Sequence, residues 1–345
     1  EQTLKANPDT IRAVITNAGI ANACTGEQGL QSARDMQRNA AEALGCSAHQ
    51  VLVLSTGVIG VQLDMQKITS KLDDLAAEAA PDGGEAAATA MMTTDTVPKF
   101  RSVSVETEEG SFSIGAAAKG SGMIHPDMAT MLAVITTDAA VPPALLQDML
   151  QRAADQSFNR ISVDGDTSTN DTVLILANGA SGVHIEGELE TTFESALNSL
   201  TAELARDIVR DGEGAQKLVE IHVSGCRTEE DAHCVAETIA TSMLVKTAIA
   251  GGDPNWGRIV AAAGRAGVDF NPGSTSLHIH SSSSEPLLLF EAGTPADFDR
   301  EHAAKIFSSK ELYILLDLGE GQASTRMWTC DLTKDYVHIN AEYHT

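Results

Sequence analysis

Two short polar segments carry residue types that suit a site for a small polar substrate. Ser55-Thr56-Gly57 follows the apolar run 51–54, and a Thr-Gly step at a strand end can turn a backbone N–H and a hydroxyl toward a reacting carbonyl oxygen. Asp211-Gly212-Glu213-Gly214 follows a predicted helix, and Glu213 between two glycines suits a substrate ammonium group. On local spacing alone, a strand-ending turn and an acidic surface turn are the simpler interpretations of the two segments.

A third segment departs from the regular alternation of helix and strand. Residues 116–130 combine a glycine-rich turn with Pro126, and the apolar run 131–135 begins directly after Thr130. Glycine permits unusual backbone dihedrals and proline fixes one φ angle. The backbone here can therefore be held in a sparsely populated geometry, which is a feature that clusters at functional sites.

Other familiar sites are excluded by their motifs. The chain has no G-x-S-x-G, no H-E-x-x-H and no G-x-x-x-x-G-K-[ST] sequence. The run from Asp164 imitates the opening of a calcium loop, but Thr169 and Ile175 replace the required glycine and glutamate, so an Asx-rich turn is preferred. His278 and His280 would share one strand face without a third ligand, so an exposed strand is preferred to a metal site. We predict neither a metal nor a cofactor.

The charge of the chain excludes several classes of partner. Its 345 residues carry a formal net charge of -25, from 23 basic and 48 acidic residues. Nucleic acid and anionic lipid both need a positive surface, so neither is a predicted partner. No apolar run approaches the roughly 18 residues that would span a bilayer, and we expect no secretory leader. The five cysteines are odd in number and lack C-x-x-C spacing, which favours a reducing, cytoplasmic location.

Helix and strand patterns are mixed along the whole chain. Helices are predicted over 32–44 with Gly45 as the stop, over 143–154, along the apolar stripe 193–208, and from Thr228 to Gly251. Strands are predicted at 51–54, 102–106, 111–115, 131–136, 172–177, 219–224 and 312–317, with a hairpin around 108–110. The length allows two structural units or one large one. The mixture indicates a layered α/β or α+β architecture.

The motifs become specific when they are taken together in chain order. They are Asn17-Ala-Gly-Ile-Ala-Asn-Ala-Cys-Thr-Gly26, Ser55-Thr-Gly-Val-Ile-Gly60, Met92-Thr-Thr-Asp-Thr96, residues 119–132, Asp211-Gly-Glu-Gly-Ala215 and residues 336–345. In this order they resemble the ornithine acetyltransferase family, the bifunctional glutamate N-acetyltransferases of arginine biosynthesis. The resemblance runs from about residue 11 to the last residue. The chain departs from the family at Ile20 and Asp127, where asparagine is common, and it is expected to lack an early family segment.

The resemblance implies a self-processing enzyme with an N-terminal-nucleophile mechanism and a layered αββα-type sandwich. The precursor is expected to cut itself between Ala129 and Thr130, which gives an alpha chain, residues 1–129, and a beta chain, residues 130–345. The freed α-amine of Thr130 has a reference pKa of about 7.7–8.0 and can take the proton of its own hydroxyl. No Ser-His-Asp arrangement is then needed.

The resemblance also implies the reaction and the assembly. Thr130 takes acetyl from N2-acetyl-L-ornithine and passes it to L-glutamate in a ping-pong reaction, with Thr56 and Gly57 as the oxyanion hole. Matched substrate-binding positions are Thr93, Lys119, Thr130, Glu213, Asn340 and Thr345. We interpret Lys119 as the partner of the α-carboxylate and Glu213 as the partner of the ornithine ammonium. Two alpha and two beta chains are expected to form a heterotetramer, and whether acetyl-CoA is a second donor is left open.

Two other functions stay open on the sequence. The first is a related N-terminal-threonine amidase or aminopeptidase, which would pass the acyl group to water. The second is a non-catalytic acidic binding protein in which residues 116–130 form only a tight turn. Dependence of product on glutamate separates the amidase from the transferase, and an intact bond between Ala129 and Thr130 in mature protein would favour the binding protein.

Overall fold

The structure is a computed structural model, and it describes residues 2–6, 8–125 and 131–342. The strands are β1 Ala13–Ile20, β2 Val51–Val58, β3 Lys99–Thr107, β4 Gly110–Lys119, β5 Leu132–Thr137, β6 Ile161–Ser162, β7 Thr172–Ala177, β8 Leu218–Cys226, β9 Ser276–Ser281, β10 Leu287–Glu291, β11 Thr294–Pro295, β12 Glu311–Asp317 and β13 Ala323–Cys330. The helices are α1 Gln2–Ala6, α2 Gly26–Ala43, α3 Met65–Thr69, α4 Leu72–Glu78, α5 Gly84–Met91, α6 Pro143–Gln156, α7 Glu188–Arg210, α8 Glu229–Ala240, α9 Met243–Ala250, α10 Trp256–Gly264, α11 Arg300–Phe307 and α12 Lys334–Glu342.

The described strands form three sheets. β1 and β2 pair in parallel. A second sheet has the order β3-β4-β5-β7, in which β3, β4 and β5 are antiparallel and β7 is parallel to β5. The third has the order β11-β10-β9-β12-β8-β13-β6. The parallel pairs β1–β2 and β5–β7 each need a crossover, which is supplied by α2 in the first case and α6 in the second.

The first three layers lie around the β1–β2 pair. Ala40 and Ala41 of α2 pack on Val51 on one face of this pair. On its other face, Leu52 and Leu54 contact Leu132 and Leu174 of the second sheet. The alternation of side chains along β2 thus lets one strand serve two apolar contacts, with a helix above and a sheet below.

Two larger cores complete the molecule. The opposite face of the second sheet packs on α6 and α7, where Phe112 of β4 lies 5.6 Å, centroid to centroid, from Phe193 of α7. The third sheet has its own core against the helices α8 to α11. α2, the two facing sheets and the α6–α7 layer form an αββα sandwich, so the predicted mixed α/β layers are confirmed.

Local signals set most of the helix and strand ends. The predicted hairpin at 108–110 joins β3 and β4, and Gly45 follows α2 with a φ of 65°. The single helix predicted from Thr228 to Gly251 is wrong, because α8 ends at Ala240 and α9 begins at Met243. The physical reason is Ser242, whose side chain caps α9 by accepting the N–H of Val245.

Residues 55–57 are also placed differently from the prediction. They do not form a turn after a strand, since β2 continues from Val51 to Val58 and pairs with β1 along its whole length. The Thr-Gly step therefore lies within a paired strand, which fixes its backbone more firmly than a turn would.

Within residues 2–6, 8–125 and 131–342, no helix is long and apolar enough to cross a membrane. Cys24, Cys46, Cys226, Cys234 and Cys330 are all free thiols.

Candidate functional site

A small cavity of about 100 Å³ lies where β2, β4 and the loop after α7 converge. Its described lining consists of Ala21, Thr56, Gly57, Ile59, Thr93, Thr94, Lys119, Gly122, Met123, Ser168, Thr169, Asn170, Glu213 and Asn340. The structure thus brings together Thr56, Gly57, Thr93, Lys119, Glu213 and Asn340, which come from five separate parts of the chain. Ala129, Thr130 and Thr345, the other predicted site residues, lie outside the described residues.

Gly57 allows β1 and β2 to approach closely at the cavity wall. Its φ is +129°, and an added Cβ would lie 2.2 Å from the carbonyl carbon of Gly19. Only glycine fits this position without a backbone shift. Asn170 also holds this part of the β1–β2 pair in place, because its Nδ2 donates to the carbonyl oxygens of Ala21 and Ser55. The backbone of residues 55–57 is therefore pre-arranged, as an oxyanion-binding group must be.

Lys119 is a buried cation at the end of β4, with only 2% of its surface exposed. Its Nζ donates to Thr93 Oγ1 at 2.8 Å and to Thr56 Oγ1 at 3.3 Å. Burial lowers the pKa of Lys119 below its ordinary value, while the carboxylate of Asp95, 3.9 Å away, acts against that change. An ammonium whose close contacts are mostly neutral hydroxyls retains the capacity to bind a substrate anion.

A buried ion network of Lys99, Asp95 and Asp211 lies beside Lys119. Lys99 Nζ lies 2.7 Å from Asp95 Oδ1 and 2.6 Å from Asp211 Oδ2. Asp95 also accepts the N–H groups of Thr93, at 3.1 Å, and Gly120, at 2.7 Å. The network therefore ties three cavity-lining segments, 93–95, 119–122 and 211–213, to one another.

Glu213 projects into the cavity from the loop that ends α7. Gly122 makes room for it, since an added Cβ at Gly122 would lie 2.4 Å from Glu213 Cδ. Glu213 Oε2 accepts a hydrogen bond from Asn340 Nδ2 at 2.7 Å. Asn340 lies on α12. Thr333, which directly precedes this helix, donates to the carbonyl oxygen of Gly214 at 2.7 Å and so holds the start of the helix against the loop that carries Glu213. A carboxylate with one amide donor keeps free lone pairs for a cationic substrate group.

Two carboxylates of the loop between β6 and β7 hold the chain on both sides of residues 126–130. Asp164 accepts the N–H groups of Met123, at 2.7 Å, and Ile124, at 3.0 Å. Asp171 Oδ1 accepts the N–H of Met131 at 2.8 Å. Burial raises the pKa of Asp171 to about 7, with backbone hydrogen bonds and Lys119 acting in the opposite direction. The residues that flank the predicted cleavage site are therefore fixed by one loop.

The residues of these supporting contacts were not among the predicted site residues. Asp95 and Asp211 stand inside two of the motifs, and Asp164, Asn170 and Asp171 stand in the Asx-rich run. The clustering of Asp and Asn was the available signal, and it predicted only a turn. Among the described residues no group of His, Cys, Asp and Glu is arranged to hold a metal ion.

The chain matches a known family of acyltransferases. The model of the ArgJ family matches residues 1–345, and the chain belongs to that family. The resemblance predicted from the motifs is therefore confirmed, and the protein is an enzyme of the glutamate N-acetyltransferase and ornithine acetyltransferase type.

Individual relatives agree over almost the whole chain. The arginine biosynthesis bifunctional protein ArgJ of Symbiobacterium thermophilum is 48% identical over 338 residues, which are 97% of this chain and 83% of that protein. The ArgJ protein of Thermotoga neapolitana is 45% identical over 347 residues, covering 100% of this chain and 87% of that protein. A crystal structure of ArgJ from Bacillus halodurans superposes with a TM-score of 0.57 at 39% identity, covering 60% of this chain and 97% of that chain.

Proposed function

We propose that the chain cuts itself between Ala129 and Thr130 and then uses Thr130 as an acyl-accepting nucleophile. The Thr130 hydroxyl oxygen attacks the Ala129 carbonyl carbon, the peptide C–N bond breaks, and the departing nitrogen takes the hydroxyl proton. Water then hydrolyses the resulting ester, which frees the hydroxyl and leaves a carboxylate on Ala129. The fixed positions of Met123, Ile124 and Met131 support this proposal, because a held junction favours an intramolecular attack.

The mature enzyme would transfer acetyl from N2-acetyl-L-ornithine to L-glutamate in two displacements. In the first, Thr130 takes the acetyl group, and ornithine leaves with the proton that its nitrogen needs. In the second, the glutamate α-amine attacks the acetyl ester, and the threonine hydroxyl is restored. The α-amine of Thr130 carries the proton in each step, since its reference pKa of about 7.7–8.0 lies near neutral pH.

Single residues of the cavity have separate parts in this scheme. Thr56 and Gly57 would stabilise the oxyanion of each tetrahedral intermediate. Lys119 suits the α-carboxylate that both substrates share. Glu213 suits the side-chain ammonium of ornithine, and Thr93, Asn340 and Thr345 complete the proposed binding set. The observation that carries the proposal is the convergence of Thr56, Gly57, Thr93, Lys119, Glu213 and Asn340 on one cavity.

The decisive experiment follows the acetyl group. Purified enzyme is incubated with acetyl-labelled N2-acetyl-L-ornithine, quenched in acid, and both chains are weighed by intact mass spectrometry. We expect one two-carbon acyl adduct on the fragment that begins at Thr130, and its loss when L-glutamate is added. An uncut chain, or an adduct on any other residue, would overturn the proposal. Release of acetate at the same rate without glutamate would instead favour the amidase.

Assembly and donor range stay predictions. We propose two chains, 1–129 and 130–345, associated in pairs as a heterotetramer in the cytoplasm, and we leave open whether acetyl-CoA is a second donor. Sedimentation of the processed enzyme and an assay of acetyl-CoA with L-glutamate test these points directly.

Replacing Glu213 with glutamine is expected to separate the two substrates. Glutamine keeps the size and can still accept the bond from Asn340, but it removes the charge that would meet the ornithine ammonium. A charge-assisted hydrogen bond is worth about 1.5–3 kcal/mol, so KM for N2-acetyl-L-ornithine should rise about 10- to 150-fold. Steady-state kinetics with each substrate varied in turn would show this, with KM for L-glutamate unchanged or lower.

The control is Glu194→Gln. Glu194 lies on α7 and pairs with Arg152 of α6, so this change removes a carboxylate charge outside the cavity and should leave both KM values unchanged. Equal rises in KM for both substrates of the Glu213 variant would contradict the assignment of Glu213 to the ornithine side chain.

A further inference from the structure

The loop between β6 and β7 holds one acidic group that the scheme above does not use. Asp171 has a side chain that is mostly enclosed, and its two oxygens are in different situations. Oδ1 accepts the N–H of Met131 at 2.8 Å. Oδ2 is buried and has no hydrogen-bond partner in the part of the chain that the structure describes. Since buried polar atoms are nearly always paired, an acceptor oxygen left open at this place calls for an explanation.

The position of Asp171 gives one. Met131 directly follows Thr130, and one residue spans at most about 3.6 Å of chain. A carboxylate bound to the nitrogen of Met131 is therefore within reach of the nitrogen of the preceding residue, Thr130. Before cleavage this nitrogen is an amide. After cleavage it is a primary amine, which gains a proton and a charge that a carboxylate oxygen can bind.

We propose that Asp171 is a positioning residue for the nucleophile, a role that rests on the proposed function. Oδ1 fixes the residue after the cleavage site, and Oδ2 receives the α-ammonium group that cleavage creates. Asp171 thereby orients the amine that must accept the hydroxyl proton. It also sets the amine's protonation, because a nearby negative charge favours the charged form of an amine.

The neighbouring residue makes the same loop serve the oxyanion region. Asn170 donates to the carbonyl oxygen of Ala21, which directly follows β1, and to that of Ser55, which lies in β2. The side chain of Asn170 thus holds the backbone next to Thr56 and Gly57, and the side chain of Asp171 holds Met131. Two adjacent residues therefore position both the proposed oxyanion donors and the residue that follows the nucleophile.

Charges around Asp171 set the expected sign of a pH effect. Burial raises the pKa of Asp171 to about 7, and Lys119, the described charged group that acts on it, opposes this rise. The carboxylate is therefore ionised above about pH 7, where an α-amine with a reference pKa of about 7.7–8.0 titrates. An ionised Asp171 raises the pKa of a neighbouring amine, so the enzyme needs a higher pH before the amine can accept a proton. Removing the charge lowers the amine pKa, and the acid limb of the activity profile should move to lower pH.

Asp171→Asn is the variant that tests this, since asparagine keeps an acceptor oxygen for Met131 and loses the charge. We expect slower appearance of the two fragments and, in processed enzyme, an acid limb of kcat/KM about one pH unit lower than in the parent. A purely structural role for Asp171 would change stability without moving the limb.

Asp138→Asn is the matched control. Asp138 also accepts a backbone N–H, that of Ser113 at 2.7 Å, but it follows the opposite end of β5. This variant should be cut at the parent rate and keep the parent pH profile. Asp171→Glu keeps the charge on a longer arm, so cutting should slow while the acid limb stays in place; it carries the test if Asp171→Asn does not fold.

The outcomes separate the two proposals. A parent enzyme that forms the acetyl adduct, together with an Asp171→Asn variant that is cut at the parent rate with an unmoved acid limb, would overturn the role of Asp171 alone. A parent enzyme that is never cut or acetylated would overturn the proposed function itself.

Discussion

Thr130→Ala is expected to yield one uncut chain of 345 residues without transferase activity. Alanine has no hydroxyl to attack the Ala129 carbonyl, so the amine that would serve as base is never released. Removing the nucleophile of a comparable covalent enzyme lowers kcat on the order of 10⁶-fold, and a similar loss is expected here. A denaturing gel of freshly purified protein and an acetyl-transfer assay on the same sample measure both effects.

Two further variants show whether the loss belongs to the hydroxyl at this position. Thr130→Ser keeps a hydroxyl and an α-amine, so it should still be cut and form an acyl adduct, at a different rate. Thr136→Ala removes a hydroxyl from the exposed face of the adjoining strand β5 and should behave as the parent. Normal cutting of Thr130→Ala would refute the assignment, since no other serine or threonine adjoins that bond in the sequence.

The parts of the fold that the sequence predicted are those that depend on local signals. The hairpin at 108–110 follows from a glycine between two alternating runs, and α7 follows from an apolar stripe that continues from Phe193 to Ile208. The break between α8 and α9 was missed because both helices are apolar on the face that meets the third sheet. Hydrophobic periodicity does not report the break between the two helices at Thr241 and Ser242.

The features of the cavity likewise fall into those that the sequence predicted and those that it did not. Six of its lining residues were predicted from the family resemblance that the motifs carry together, and the structure adds how they are held; they are Thr56, Gly57, Thr93, Lys119, Glu213 and Asn340. Lys99 gave no signal, because a lysine at the start of a strand is ordinarily exposed. Its burial between Asp95 and Asp211 depends on segments 112 residues apart meeting in space. Such a contact is a property of the sheet order and not of any local pattern.

The buried ion network gives the second large effect expected of a single substitution. Lys99→Met removes the cation between Asp95 and Asp211, whose side chains are 0% and 7% exposed. Methionine fills a similar volume, so the main change is electrostatic. Breaking a buried ion pair by removing one partner typically costs about 3–5 kcal/mol, because the remaining charge has lost its compensation. Urea unfolding of parent and variant at pH 8 would measure the difference.

Lys67→Met is the control, since Lys67 meets Asp64 at 3.4 Å on the surface with 85% of its side chain exposed. Exposed pairs contribute about 0–1 kcal/mol, so this variant should unfold close to the parent. If Lys99→Met were no less stable than Lys67→Met, the network would be incidental to the fold.

Lowering the pH should reduce the difference in unfolding free energy between Lys99→Met and the parent. Burial acts to raise the pKa of Asp95, but Lys99, Lys119 and the Gly120 N–H outweigh it, so the pKa lies below its ordinary value. In the parent, the stability from this carboxylate is present above the unfolded pKa and is lost as pH falls through the lowered folded pKa. Without Lys99, burial prevails and the folded pKa of Asp95 rises, so lowering the pH from 7 to about 5 favours protonation of this carboxyl in the variant and relieves it, whereas Asp95 of the parent stays ionised. A gap that stays constant over this range would show that Asp95 keeps its charge without Lys99, and that Lys119 alone compensates it.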